Sequence, residues 1–315
     1  GDGRLDLYVA NYRTTTIRDM PNARFRINEE NGQLVVTALN DRPTTEADLV
    51  GRFIATRDGR FVENGEADVL FLNDGQGHFK AVPFTGGAFL DAEGQPLREP
   101  PYDWGLTAAF HDLNGDGAPD LYVCNDFESP DRIWLNDGHG HFRAAPRLAF
   151  RQTSIFSMGV DFADLDRDGF DDIFVSDMLS RDHATRMLET GDIRPTLLPI
   201  GAIDDRPQYS HNTLFRNRGD GTYAEIAQFA GVQASEWTWS PNFVDVDLDG
   251  YEDLLITTGH ELQMMNGDVI NRAEALKAQK QMSAPAMQRL RALFPRNVIP
   301  NVAFRNRGDL TFEEA

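Results

Sequence analysis

The chain has 315 residues, 41% of them hydrophobic, with a formal net charge of −20 and a pI near 4.6. The apolar share is enough for a folded core, while the acidic balance argues against nucleic acid or an anionic membrane surface as partner, since both are met through basic patches. No apolar run approaches the ~18 residues a membrane-spanning helix needs, and one cysteine, Cys124 in the run LYVCN, excludes an internal disulfide framework and reads as a small buried hydrophobe.

In chain order, the first phrase is GDGRLD (1–6), a truncated copy of a motif that returns complete as DLNGDGAPD (112–120), DLDRDGFDD (164–172) and DVDLDGYED (245–253). In the truncated copy Asp2, Gly3 and Asp6 hold the fifth, sixth and ninth places. Opening in mid-motif and closing just after a strand-like segment, the chain is expected to be cut from a longer polypeptide.

Short apolar stretches precede the complete loops (LTAAFH, MGVDFA, SPNFV), and apolar runs follow all four (LDLYVAN, LYVCN, IFVSD, LLITT). Their Val, Ile, Phe and Tyr content marks strands rather than helices. Each unit then carries a second signature: VLFLNDGQGHFKAV, RIWLNDGHGHFRAA, TLFRNRGDGTYAEI and VAFRNRGDLTFEEA. An Asn/Asp/Gly-rich turn between two such strands is a strong hairpin signal. One repeat is therefore strand, acidic loop, strand, connection, hairpin. Such a unit must stack against copies of itself to bury both faces, as blades do in a propeller.

The expected fold is an all-β propeller region over 1–315, with blades at 1–103, 104–150, 151–232 and 233–315. The connection to the hairpin is short in the second unit and expanded elsewhere, giving insertions at 13–66, 178–211 and 261–301. Insertions in one loop of a repeat emerge on one face, often the binding face. The first insertion contains two hairpin-like patches, FRINEENGQLVVTAL and GRFIATRDGRFVENG. In the second, SRDHATRMLETG predicts a helix with Ser180 as N-cap and Gly191 as stop. The third predicts helical DVINRAEALKAQKQM and APAMQRLRALF, with a break near Pro285.

Carboxylates at alternate positions of a tight turn converge on one point, and this number of hard oxygens suits calcium. An EF-hand is excluded: its twelfth-position Glu is replaced by Val123, Val175 or Ile256, and the flanks are strands. The ninth-position acid takes that place. The expected ligands are Asp112, Asn114, Asp116 and Asp120; Asp164, Asp166, Asp168 and Asp172; and Asp245, Asp247, Asp249 and Asp253, with backbone carbonyls from Ala118, Phe170 and Tyr251. Asp2 and Asp6 belong to the truncated fourth site. Magnesium fits less well, because it favours strict octahedral geometry with retained waters.

The pattern D-x-[DN]-x-D-G-x-x-D between strands, followed by the LFRNRGDGTY hairpin, resembles the FG-GAP or VCBS repeat of integrin-alpha-like β-propellers. More narrowly, WGLTAAFHDLNGDGAPDLYVCNDFESPDRIW and WTWSPNFVDVDLDGYEDLL are similar to secreted bacterial FG-GAP proteins of the ASPIC/UnbV type, related to an animal cartilage acidic protein. The resemblance implies an extracellular or cell-surface location, calcium loops joining the first two strands of each blade, and a usual ring of seven blades. Four units are visible here and no ASPIC/UnbV segment, so an incomplete part of such a ring is expected.

Trp104, Trp134, Trp237 and Trp239 suit either a sugar-stacking platform or inter-blade packing, and similar offsets of Trp104 and Trp239 favour packing. No G-x-S-x-G, H-E-x-x-H or P-loop motif is present, and no catalytic residue is assigned. The functional expectation is a calcium-binding scaffold that contacts a glycan or protein through the inserted loops. The alternative is a polysaccharide lyase or hydrolase, which requires a cleft of convergent polar groups.

Overall fold

The central strands of the repeat are apolar on both sides, as a strand sandwiched between two neighbouring sheets must be. In the computed structural model, which describes residues 3–20, 22–30, 32–56, 60–127, 129–190, 206–279 and 284–315, the strand Asp120–Asn125 is buried at every position, as is Asp172–Ser176. Their alternate side chains feed different cores. Leu121 and Val123 pack with Leu70, Phe89, Trp134 and Phe142, whereas Tyr122 and Cys124 face Ile173, Val175 and Phe215 of the next unit. Phe174 and Leu214 then join Leu254, Ile256, Val302 and Phe304. The layers between sheets are the cores, and Cys124 is buried in one of them.

The third unit is a four-stranded antiparallel sheet of Gly159–Ala163, Asp172–Ser176, Thr213–Asn217 and Tyr223–Glu225, paired in chain order. The fourth repeats it with Thr238–Val244, Asp253–Thr258, Val302–Asn306 and Phe312–Glu314. The second has Gly105–His111, Asp120–Asn125, Arg132–Asn136 and Phe142–Ala144, plus a fifth strand, Phe89–Leu90, added in parallel at its outer edge. The first unit is a three-stranded sheet in which Val69–Asn73 pairs with Leu7–Val9 on one side and Phe79–Val82 on the other. The molecule is thus all-β and propeller-like, with inserted hairpins and helices.

Neighbouring blades approach closely at their first strands. A Cβ on Gly159 would lie 2.9 Å from both Pro241 and the Trp239 carbonyl, so only glycine fits there.

The first insertion forms the hairpin Phe25–Glu30 with Gln33–Leu39 and the smaller hairpin Phe53–Ala55 with Phe61–Glu63. The second contains the helix His183–Thr190, and here the cap differs from the one expected. Asp182, not Ser180, accepts the Thr185 N–H (2.8 Å) and hydroxyl (2.9 Å), while the Ser180 hydroxyl donates to Glu236 (2.7 Å). A carboxylate adjacent to the first turn outcompetes a hydroxyl one turn too early. Gly191 lies outside the described residues. The third insertion contains Gly267–Gln279 and Ala284–Arg291. Pro285 sits in the first turn of the later helix, where its missing N–H is tolerated, so it opens a helix rather than ending one.

Candidate metal loops

Each complete acidic loop is wound by its own carboxylates. At the first position, Asp112 accepts N–H groups from Gly115, Asp116 and Gly117; Asp164 accepts from Asp168 and Gly169; Asp245 accepts from Asp249 and Gly250. At the fifth, Asp116, Asp168 and Asp249 accept the N–H of Ala118, Phe170 and Tyr251 at 2.8 to 3.0 Å. The fourth residue is left-handed throughout, with φ of 74° at Gly115, 59° at Arg167 and 61° at Leu248.

This winding brings the ligand atoms of Asp164, Asp166 and Asp168 within 4.8 Å of one another, and likewise those of Asp245, Asp247 and Asp249. In the second-blade loop the side-chain amide of Asn114 donates to Asp116 (3.0 Å). Three hard oxygens converging in a preformed turn are a donor set a divalent cation fits. The two all-aspartate loops also meet an arginine from their own hairpins. Arg216 lies 2.7 Å from Asp166 and 3.1 Å from Asp168, and Arg305 lies 2.7 Å from Asp247 and 3.2 Å from Asp249.

The ninth-position acids stand apart from these groups. One oxygen of Asp120, Asp172 and Asp253 accepts the N–H of the loop's second residue, Leu113, Leu165 or Val246. The other accepts the N–H of a hairpin asparagine, Asn136 (2.7 Å), Asn217 (2.8 Å) or Asn306 (2.9 Å). Asp6 does the same for Asn73 at 2.9 Å; Asp2 lies outside the described residues. Each asparagine returns an amide to the loop, at the carbonyl of Leu5, Pro119, Asp171 or Glu252, and accepts the N–H of a turn glycine two residues on. This Asp–Asn clasp locks loop to hairpin in all four units. Burial raises the Asp120 carboxyl to about 6 and Asp172 to about 7, although their backbone donors oppose the shift.

The clasp asparagines and the two arginines are the residues that reading the sequence missed. The asparagine was signalled by its fixed place two residues ahead of the turn glycine. The arginines lie far along the chain from their partners, Arg216 being 50 residues after Asp166. Of the tryptophans, Trp104 and Trp134 are 3% exposed and pack between elements, whereas Trp239 is 48% exposed. Packing therefore explains only part of the set.

An acidic, self-wound loop between the first two strands of a four-stranded antiparallel blade, clasped to the blade's hairpin and repeated along the chain, defines a repeat protein of the propeller type. The model of the FG-GAP-like repeat matches residues 112–175 and 201–256: the chain carries FG-GAP-like repeats, and the family resemblance of its motifs is borne out. It is 25% identical over 270 residues to cartilage acidic protein 1 of mouse and of human, covering 83% of this chain and 38% and 37% of those proteins. The chain thus spans well under half the length of these relatives. A solved structure of an Agrocybe aegerita lectin, described as recognising non-reducing terminal N-acetylglucosamine, is matched at a TM-score of 0.34 and 14% identity over 98% of this chain and 64% of that one. Repeats of this family suggest a binding or scaffold role. Among the described residues no helix is long and apolar enough to cross a membrane.

Proposed function

We propose that this chain is a calcium-stabilised binding scaffold that works outside the cell or at its surface and meets a protein or glycan ligand through its inserted loops. The observation that supports calcium most directly is the convergence of three carboxylates in each of two loops, Asp164/Asp166/Asp168 and Asp245/Asp247/Asp249. The equivalent set in the second blade is Asp112, Asn114 and Asp116. Blade by blade, the region runs as one series over 1–315, with its insertions leaving the end of the strands opposite the acidic loops. That arrangement separates the two tasks: one end holds ions that stiffen the repeat, and the other presents variable loops.

Without a cation, the clustered acids repel one another and are only partly neutralised by Arg216 and Arg305. A ligand bound only by the folded state raises stability by mass action. Thermal unfolding in excess EDTA, in millimolar calcium and in millimolar magnesium tests the reading. A large upward shift in calcium, much smaller in magnesium, is expected, and equal melting in EDTA and calcium rejects calcium as the stabilising ion.

A further inference from the structure

At the insertion-bearing end, the first insertion and the second blade enclose a cleft of about 370 Å³, a size found in small-molecule sites. Four aromatic residues line it, Tyr12, Phe61 and Phe127 with the largely buried Trp104 behind them, and the rest of the wall is mixed apolar and polar. The rings support one another, Tyr12 against Trp104 at 4.9 Å and Trp104 edge-on to Phe127 at 5.6 Å between centroids.

Phe127 is held in a costly conformation to take part. Its φ of 56° lies in the left-handed region, which bulky residues avoid. Three groups keep it there. Its N–H donates to Asp126 (3.0 Å), its carbonyl accepts an amide N–H from Gln208 of the third unit (2.9 Å), and its ring meets Phe156 edge-on at 6.1 Å. Strain maintained by surrounding contacts is characteristic of ligand clamps. The floor is rigid too. Glu63 is buried, paired with Arg52 at 2.7 Å, and accepts the Ile17 N–H at 2.9 Å, while the Trp104 indole donates to the Glu63 carbonyl at 3.0 Å.

The charges of this cleft decide what it can hold. Asp19 and Arg60 both stand on its exposed rim, and the buried Glu63 is already matched by Arg52. Neither a cation nor an anion is favoured by such a mixture, whereas a neutral ring with an apolar face and several hydroxyls meets both donors and acceptors. We propose that this cleft is a binding site for the pyranose ring of a neutral sugar residue. The proposal rests on the binding-scaffold reading and gives it a ligand class and a place. Aromatic rings cover the C–H face of the sugar, while the polar rim receives its hydroxyls.

The test uses methyl glycosides of neutral hexoses and N-acetylhexosamines, with glucuronate and tetramethylammonium as charged probes. Binding to the intact chain in millimolar calcium is followed by saturation-transfer NMR and tryptophan fluorescence. A neutral glycoside should bind and the charged probes should not. Phe127→Gly removes the ring and its contacts with Trp104 and Phe156 while relieving the backbone strain, so it should stay folded, with its calcium-dependent melting shift retained, yet bind at least about tenfold more weakly. Tyr12→Ala should also weaken binding, and Trp239→Ala, an exposed ring elsewhere, should not. Binding that is unchanged in both Phe127→Gly and Tyr12→Ala, absent for every neutral glycoside, or stronger for a charged probe overturns the assignment. The calcium-dependent melting shift is read separately, so loss of the sugar site and loss of the scaffold reading are told apart.

Discussion

The second-blade loop and its counterparts in the third and fourth blades reach the same arrangement by different side chains. In the second, Asn114 stands at the third position and Leu135, packed on the core, holds the hairpin place of the arginine; in the others the pair is Asp166 with Arg216 and Asp247 with Arg305. Counting the four expected side-chain ligands and the facing hairpin residue, each loop has the same formal charge of −3: three aspartates with a leucine, or four with an arginine. A second covariation runs alongside. At the end of the second strand, Asp131 accepts the Asn125 N–H and the Tyr122 hydroxyl, while Asn212 and Asn301 serve the blades where Tyr122 is replaced by Phe174 and Leu255. What the repeat holds constant is local charge and satisfied hydrogen bonds rather than residue identity.

The clasp is common to all blades, so breaking it should be equally severe in each. Asp120→Ala and Asp172→Ala each strand two backbone donors, and each should lose about 2–5 kcal/mol in denaturant unfolding. A mild effect in one blade alone would show that the clasp is not shared energetically.

Asp131 distinguishes the second blade next. Burial raises its carboxyl to about 7, against the hydrogen bonds it accepts from the Asn125 N–H and the Tyr122 hydroxyl. Above pH ~4 the unfolded chain releases this proton and the fold retains it, so its contribution is full at acid pH and is lost as the pH rises toward 7. Asp131→Asn, the residue the later blades already use, should therefore flatten the decline. The variant should be more stable than the parent at pH 8 by roughly 1–2 kcal/mol, with no gain at pH 4. Equal gains at both would trace the effect to packing.

A smaller difference is expected from the arginine. Arg216→Leu should cost about 1 kcal/mol in EDTA, because the pair is partly solvated, and should enlarge the calcium-induced melting shift. Adding Asp166→Asn recreates the second-blade pairing and should recover most of the loss; simple additivity in that cycle would mean the two side chains do not interact. The smallest effects belong to the left-handed fourth position. Gly115→Ala should cost about 0.5–1 kcal/mol, whereas Leu248→Gly should be neutral or slightly stabilising.

Strands, hairpins and acidic turns were legible because their causes are local: alternation, turn glycines and Asx hydrogen bonds lie within a few residues. The roles of particular acids were not. Asp172 stands at an expected ligand place, and its further role, accepting backbone N–H groups from Leu165 and Asn217, depends on a partner forty-five residues away. Arg216 and Phe127 were opaque for the same reason, since the partners that give them meaning, Asp166 and Gln208, arrive through tertiary contacts. The Ser180 cap failed on a contest between two nearby oxygens that pattern alone does not rank.

The clasps also reach backward. The Tyr223 hydroxyl donates to the Leu113 carbonyl of the preceding loop at 2.8 Å, and in the next blade, where Phe312 stands in place of that tyrosine, the Asn306 amide donates to the Leu165 carbonyl at 3.2 Å. The second and third loops are thus each finished by the unit that follows, which gives this part of the array a direction. Pulled from its C-terminal end, such a chain should unzip one blade at a time, and each departing hairpin should uncap the loop behind it and lower the force needed for the next.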